Sequence, residues 1–408
     1  MIIVGIIYWN NQLMKGKVMD YTPDNSTNIA GQQMGGLPQG NNYTVPNQTP
    51  SPTEIYNANT SVNAPQYHYG APHNFFNPQY LEEQRKKLLE RRHHEKIIRS
   101  LGTSTGVILL FVLGISFLLS FLLLTPTFNK LYDSNLTFAS AFGIFYSVIS
   151  VGGAFFIGSK ILKSQMLFKA IPYNPPKDKT KALLLVLIGF GGCLLANYVT
   201  VFLRVFGEGL GIYSDYTAMQ DPASTFDVVM IFISSSLIPP LVEEFALRGV
   251  IMQSLRKYGN LFAIVASAFV FGVFHGNAVQ MPFAFLCGLV IGYAVIATES
   301  LWTGVIIHAL MNGMSSISSG LVYYFDEYVS NTFFYIGSAV GITLGIIGII
   351  VYLTKYKNDS VLKSPDSCTD ITLGEKFIKF NTSPVMIVAI ILFVVQAITQ
   401  LSTTPPTY

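Results

Sequence analysis

From Leu101 onward the apolar positions run in long blocks separated by short polar breaks. The blocks fall at roughly 101–124, 137–162, 181–206, 226–257, 260–276, 279–298, 301–323, 332–354 and 384–401. Each is long enough, or nearly so, to cross about 30 Å of hydrocarbon at 1.5 Å per residue. The pattern predicts an all-α polytopic membrane protein, a bundle of about 8–9 transmembrane helices behind a disordered N-terminal tail.

The first hundred residues read differently. Between Lys17 and Arg85 there is no Lys or Arg, and Asn, Gln, Pro, Gly, Thr and Tyr dominate. With no periodic apolar face to offset the entropy of ordering the backbone, residues 1–80 are expected to be a disordered cytoplasmic tail. Its scattered tyrosines and phenylalanines leave a partner-contact role open beside that of an inert extension. The apolar run Ile2–Trp9 is too short to span and no small-residue cleavage site follows it, so it is not read as a signal peptide. Met14 and Met19 are alternative starts. Residues 81–100 are a charged helix pattern packed against the first span. Positions 101–354 form the transmembrane core, 355–383 a cytoplasmic loop and 384–401 an additional span.

Loop charge tests the span count. Lys160, Lys163, Lys169, Lys177, Lys179 and Lys181 follow the second block, Arg256 and Lys257 the fourth, and Lys355, Lys357, Lys363, Lys376 and Lys379 the eighth. The intervening connections are acidic or neutral, as with Glu208, Asp215, Asp221, Asp227, Asp326 and Glu327, and only the 299–300 turn is uninformative. Basic loops stay on the cytoplasmic side, so this alternation predicts a multi-pass protein of the cell membrane with its N-terminus in the cytoplasm. Asn-x-Ser/Thr triplets, Asn135 and Asn381 among them, lie mostly on that side and carry no weight.

Composition narrows the function classes. Only 12% of the 408 residues are charged, the net charge is +3, half the chain is apolar and the mean hydropathy is +0.45. These values exclude a soluble globular enzyme and a basic nucleic-acid binder, and name membrane lipid as a partner. Three cysteines without Cys-x-x-Cys spacing supply neither a disulfide framework nor structural zinc.

In so uncharged a chain the informative residues are ionisable groups inside spans, each costly unless paired or facing a polar cavity. Glu243, Glu244 and Arg248 lie in the fourth block, His275 in the fifth, and His308 with Asn312 in the seventh. Glu244 and Arg248 are four apart on one helix face and suit an ion pair. Glu243 points about 100° away from Glu244, so the two carboxylates cannot share a target. The spacing therefore gives Glu244 and Arg248 to support and leaves Glu243 for chemistry. Pro239-Pro240 frees carbonyls just before the carboxylates and kinks the helix. With a turn at Gly259-Asn260, Glu243 and His275 are each sixteen residues from Gly259 and stand at one height. His308 and Asn312, again four apart, aim two donors at one spot and suit a developing oxyanion.

A carboxylate beside a histidine in a low-dielectric pocket can take a proton from water that attacks a carbonyl. No serine is in register with a base, Ser234, Ser235 and Ser236 lying more than one turn from Glu243. The same Glu243, His275 and His308 could equally hold a divalent metal such as Zn²⁺, although the H-E-x-x-H pattern is absent. A lone intramembrane His or Glu–Arg pair usually serves helix packing. A non-catalytic scaffold or transporter that binds a partner or ion through the same cluster is the competing reading.

Glu243-Glu244-x-x-x-Arg248, Phe271-x-x-x-His275 and His308-x-x-x-Asn312, in that order on successive apolar helices, resemble the three signature motifs of the CPBP family. That family holds the type II CAAX prenyl endopeptidases and the bacteriocin-processing or Abi proteins. The resemblance covers residues 225–315, including Gly288-Leu289-Val290-Ile291-Gly292 and Ser300-Leu301-Trp302, and departs at Leu247, where the family more often has an aromatic. It implies an intramembrane endopeptidase, of metalloprotease or glutamate type. Glu243 would activate water with His275 as partner, His308 and Asn312 would stabilise the oxyanion, and Glu244 and Arg248 would support them. The implied substrate is a membrane-bound or leader-bearing peptide, with CAAX processing, bacteriocin maturation and immunity as the implied settings.

Overall fold

The computed structural model describes residues 78–162, 171–214, 221–359, 361–363, 366 and 368–403, with backbone alone at 159–162 and 363. The readings placed on residues 1–77, including disorder and alternative starts, lie outside the described residues. The described residues from 86 onward belong to one compact unit.

Among the described residues the chain is almost wholly helical. Helix α1 (Pro78–Leu124) joins the charged segment to the first apolar block without a break. It ends because Thr125, next to Pro126, is extended, as a residue before proline must be. The short α2 (Pro126–Ser134) leads to α3 (Leu136–Gly158), whose first turn is capped by Asn135 Oδ1 accepting from the Phe138 amide. There follow α4 (Lys179–Gly209), α5 (Thr225–Tyr258), α6 (Asn260–Phe274), α7 (Gln280–Thr298), α8 (Leu301–Tyr324) and α9 (Glu327–Lys355). The bent pair α10 (Leu373–Asn381) and α11 (Pro384–Ile398) meets at 79°. A two-residue antiparallel ladder pairs Tyr213 with Ser402 and Ser214 with Leu401.

Seven of these helices are long and apolar enough to cross a membrane, and the bent pair makes an eighth if it counts as one span. The ninth expected span, α6, has only 15 residues, about 22 Å at 1.5 Å per residue. Helix α6 is shorter because it is walled in by protein, nearly all of its side chains being buried. A helix enclosed by neighbours need not match the hydrocarbon thickness.

The path through the bundle still alternates ends. At one end Arg91 meets Glu375 (2.7 Å), Lys379 meets Glu95 (2.8 Å), Lys181 meets Asp359 (2.6 Å) and Arg256 forms a fork with Glu299 (2.6 and 2.9 Å). At that same end Asn260 donates to the Val361 carbonyl, and Lys376 to the Tyr258 carbonyl and to Asp366. The basic connections thus gather at one face, and the Arg256 fork assigns the otherwise uninformative 299–300 turn to it. At the other end stand the 213–402 ladder, Thr137 on Asp227 (2.6 Å) and Asn277 on Gln400 (2.6 Å). Helix α6 therefore begins at the basic face and ends toward the opposite one despite its length.

Small residues set the closest helix contacts. A Cβ on Gly191 of α4 would stand 2.9 Å from the Gly341 carbonyl oxygen and 3.1 Å from Gly345 Cα of α9. The two backbones meet there, as small-residue interfaces in lipid allow.

Candidate functional site

Helix α5 is not a uniform α-helix. Residues Phe232–Leu237 and Phe245–Met252 are π-helical and bracket the α-helical turn Ile238–Glu244 that carries both carboxylates. The proline pair explains the first distortion. Pro239 and Pro240 have no amide hydrogen, so the Ser235 carbonyl lacks a partner in either the i→i+4 or the i→i+5 register. Asn312 of α8 supplies one, its Nδ2 donating to the Ser235 oxygen at 3.0 Å. The spacing of Asn312 pointed to an oxyanion donor. The structure gives one of its two amide hydrogens this backbone partner, for the reason just stated.

Glu244 and Arg248 are paired at 2.9 Å and fully buried, as their spacing predicts. His308 adds a contact that spacing does not reveal. Its Nδ1 lies 3.0 Å from the same Glu244 Oε1 that accepts from Arg248 Nη1. A carboxylate oxygen can only accept, so Nδ1 carries the proton of this bond and Nε2 is the free ring nitrogen. Two glycines make room for the group. A Cβ on Gly304, one turn before His308, would stand 3.1 Å from Glu244 Oε2, and one on Gly288 would stand 3.3 Å from Arg248 Nη2 and 2.9 Å from Ala268 Cα.

Glu243 differs in kind from its neighbour. It is half-buried and makes no hydrogen bond or ion pair among the described residues, yet it lies within electrostatic reach of His308, Glu244 and Arg248. His275 caps the C-terminus of α6. Its Nδ1 stands 2.7 Å from the Phe271 carbonyl, so Nδ1 donates and Nε2 is left available. The Gly259 turn predicted between α5 and α6 is present, with φ +112° at Gly259. Glu243 and His275 make no direct bond, and the π-helical stretch between Glu243 and the turn departs from the even rise on which equal heights depended.

Phe271 joins the three helices. Its ring lies 4.2 Å from Arg248 Cζ, 4.8 Å from the His275 ring and 5.7 Å from the His308 ring. The guanidinium sits over the ring face in cation–π contact, and both imidazoles meet it edge-on. Its place in the Phe271-x-x-x-His275 pattern was the only signal of that role.

The metal reading fares differently. Among the described residues no group of three or more His, Cys, Asp or Glu could hold a metal ion. Glu243, His275 and His308 thus do not assemble as ligands. His308 Nδ1 is taken by Glu244 and His275 Nδ1 by a carbonyl, which leaves one ring nitrogen available on each.

The chain is thus a multi-pass helical bundle carrying a Glu-Glu-Arg, His and His-Asn set on neighbouring helices. Residues 225–314, under a quarter of the chain, match the family described as type II CAAX prenyl endopeptidase Rce1-like. A relative in Bacillus subtilis (strain 168), named "Putative membrane peptidase YdiL", is 25% identical over 142 residues. That alignment covers 34% of this chain and 57% of the relative's length. No solved structure matches the chain.

Proposed function

We propose that the protein is an intramembrane endopeptidase that hydrolyses a peptide bond of a membrane-anchored protein or leader-bearing peptide. One observation carries the reading. Of two adjacent carboxylates, Glu244 is fully buried and holds Arg248 and His308 through Oε1, whereas Glu243 has no partner among the described residues. A structural cluster needs only the first. A carboxylate left unpaired at half-burial within electrostatic reach of His308 is a candidate base for a water.

In this mechanism Glu243 takes a proton from water, and the oxygen adds to the scissile carbonyl carbon. His275 orients the water through Nε2. His308, held by Glu244, presents Nε2 to the developing oxyanion and donates from it when protonated, with Asn312 keeping α8 against α5. Glu243 then passes its proton to the amide nitrogen as the C–N bond breaks, releasing a carboxylic acid and an amine. No step is routed through a metal, because the donor set does not assemble around one.

The family match and the YdiL relative support peptidase activity of this kind. CAAX-like processing and bacteriocin maturation or immunity are the candidate settings. The basic face is assigned to the cytoplasm. Cleavage of a library of lipid-anchored peptides by the purified protein tests the proposal. Glu243→Gln is expected to abolish cleavage, and a strong chelator to leave it unchanged. Unaltered cleavage by the Gln variant would return the cluster to a scaffold or transport role.

A further inference from the structure

The loop that carries His275 is held by a residue far away in sequence and beyond the family-matched segment. Gln400, just past the end of α11, is buried, and both halves of its amide are engaged. Nε2 donates to the Gly276 carbonyl at 2.9 Å and to the Gln396 carbonyl at 3.2 Å, while Oε1 accepts from Asn277 Nδ2 at 2.6 Å. Asn277 in turn accepts from the amides of Val279 and Gln280 through Oδ1, at 3.0 and 3.1 Å, and so anchors the start of α7.

Gly276 has φ +54°, and a Cβ there would stand 2.9 Å from Gln396 Oε1 and 3.2 Å from Phe393 Cδ1. Two residues of α11 thus press on the glycine immediately after His275. Phe393 also packs on Phe274 with ring centres 6.4 Å apart. Beyond Gln400 the chain is tied down by the ladder of 401–402 with 213–214. Helix α6 ends at His275 without reaching the length of a span, so the 275–279 loop is irregular backbone, buried at Gly276 and half-buried around it. Such backbone persists there only when its polar groups find partners.

We infer that Gln400 is a positioning residue for His275. By clamping the Gly276 carbonyl and Asn277 it holds the imidazole on the Phe271 carbonyl with Nε2 directed at the reacting water. The C-terminal helix is then a working part of the site, and a chain ending before Gln400 would keep every family motif while losing this clamp. The inference rests on the proposed hydrolysis only for its kinetic readout.

The test uses the full chain in detergent micelles with two variants. Gln400→Leu removes both bonds to the 276–277 loop, and the one to Gln396, at similar volume. Asn277→Asp keeps the cap on α7 and removes the donor to Gln400, so it serves if the first variant does not fold. Each is expected to lower kcat about tenfold or more with KM within about twofold, since the lost term is orientation of a reacting group. ¹⁵N spectra of the histidine rings give a readout independent of activity. The native protein should show one Nδ1–H tautomer at His275, and the variants a mixture, with His308 unchanged. Native kcat in a folded variant, or a lowered kcat with an unaltered His275 spectrum, overturns the assignment. If the native protein cleaves nothing, the spectra alone decide the clamp, and the hydrolytic reading fails separately.

Discussion

A single oxygen, Glu244 Oε1, accepts from both Arg248 Nη1 at 2.9 Å and His308 Nδ1 at 3.0 Å, joining α5 to α8 at the centre of the bundle. This pairing divides the labour between the two carboxylates. Removing one partner of a buried pair leaves the other charge uncompensated, at a cost of about 3–5 kcal/mol. Glu244→Gln and Arg248→Met should each destabilise by that order, measured by unfolding in detergent. Glu243→Gln should leave stability nearly unchanged, and the opposite ranking would reverse the assignment of roles.

Asn312 has a similarly local test. Its amide satisfies the Ser235 carbonyl that Pro239 and Pro240 leave without a partner. Asn312→Leu should cost about 1–3 kcal/mol, the penalty of a buried carbonyl with no donor. Substituting the prolines by Ala restores the helical amides, and in that background the Asn312→Leu loss should shrink. An undiminished loss would mean that Asn312 acts elsewhere.

Acid sensitivity is expected at the basic face. The Asp178 carboxyl is held below its ordinary value of 3.8 by the Lys181 amide and then by the Tyr356 hydroxyl, which donates at 2.7 Å. The same bond pushes the Tyr356 phenol up to about 12, so it remains a donor at any working pH. A carboxyl lowered in the folded state contributes stability above its unfolded value and loses it as pH falls through the folded one. Asp178→Asn should therefore melt below the native protein near neutrality, the gap closing below about pH 4. A constant gap down to pH 3 would refute the carboxylate as its cause.

Orientation is open to labelling. With the three buried native cysteines replaced, single cysteines at Ser134 and at Asn358 should react with a membrane-impermeant reagent from opposite sides, Asn358 from the cytoplasm. Labelling of both from one side would overturn the alternation of ends.

The lengths of the apolar blocks, the grouping of the basic connections and the Glu244–Arg248 pair were all legible in the sequence. Each depends on local chemistry: hydropathy over about twenty residues, charge beside a span, and i,i+4 neighbours on one helix. The shortness of α6 was not legible, because an apolar run reads alike whether lipid or protein surrounds it. Nor were the π-helical stretches of α5, which alter helix phase and rise and so undo distance arguments based on a regular α-helix.

The sequence by itself determined which side chains are too costly to place in a bilayer without a purpose: Glu243, Glu244, Arg248, His275 and His308. Only the tertiary structure decided who partners whom. His308 is 64 residues from Glu244, Asn312 is 77 from Ser235 and Gln400 is 124 from Gly276. Contacts at such separations follow from how helices pack, which depends on where small residues let backbones approach and on which carbonyls the prolines leave free.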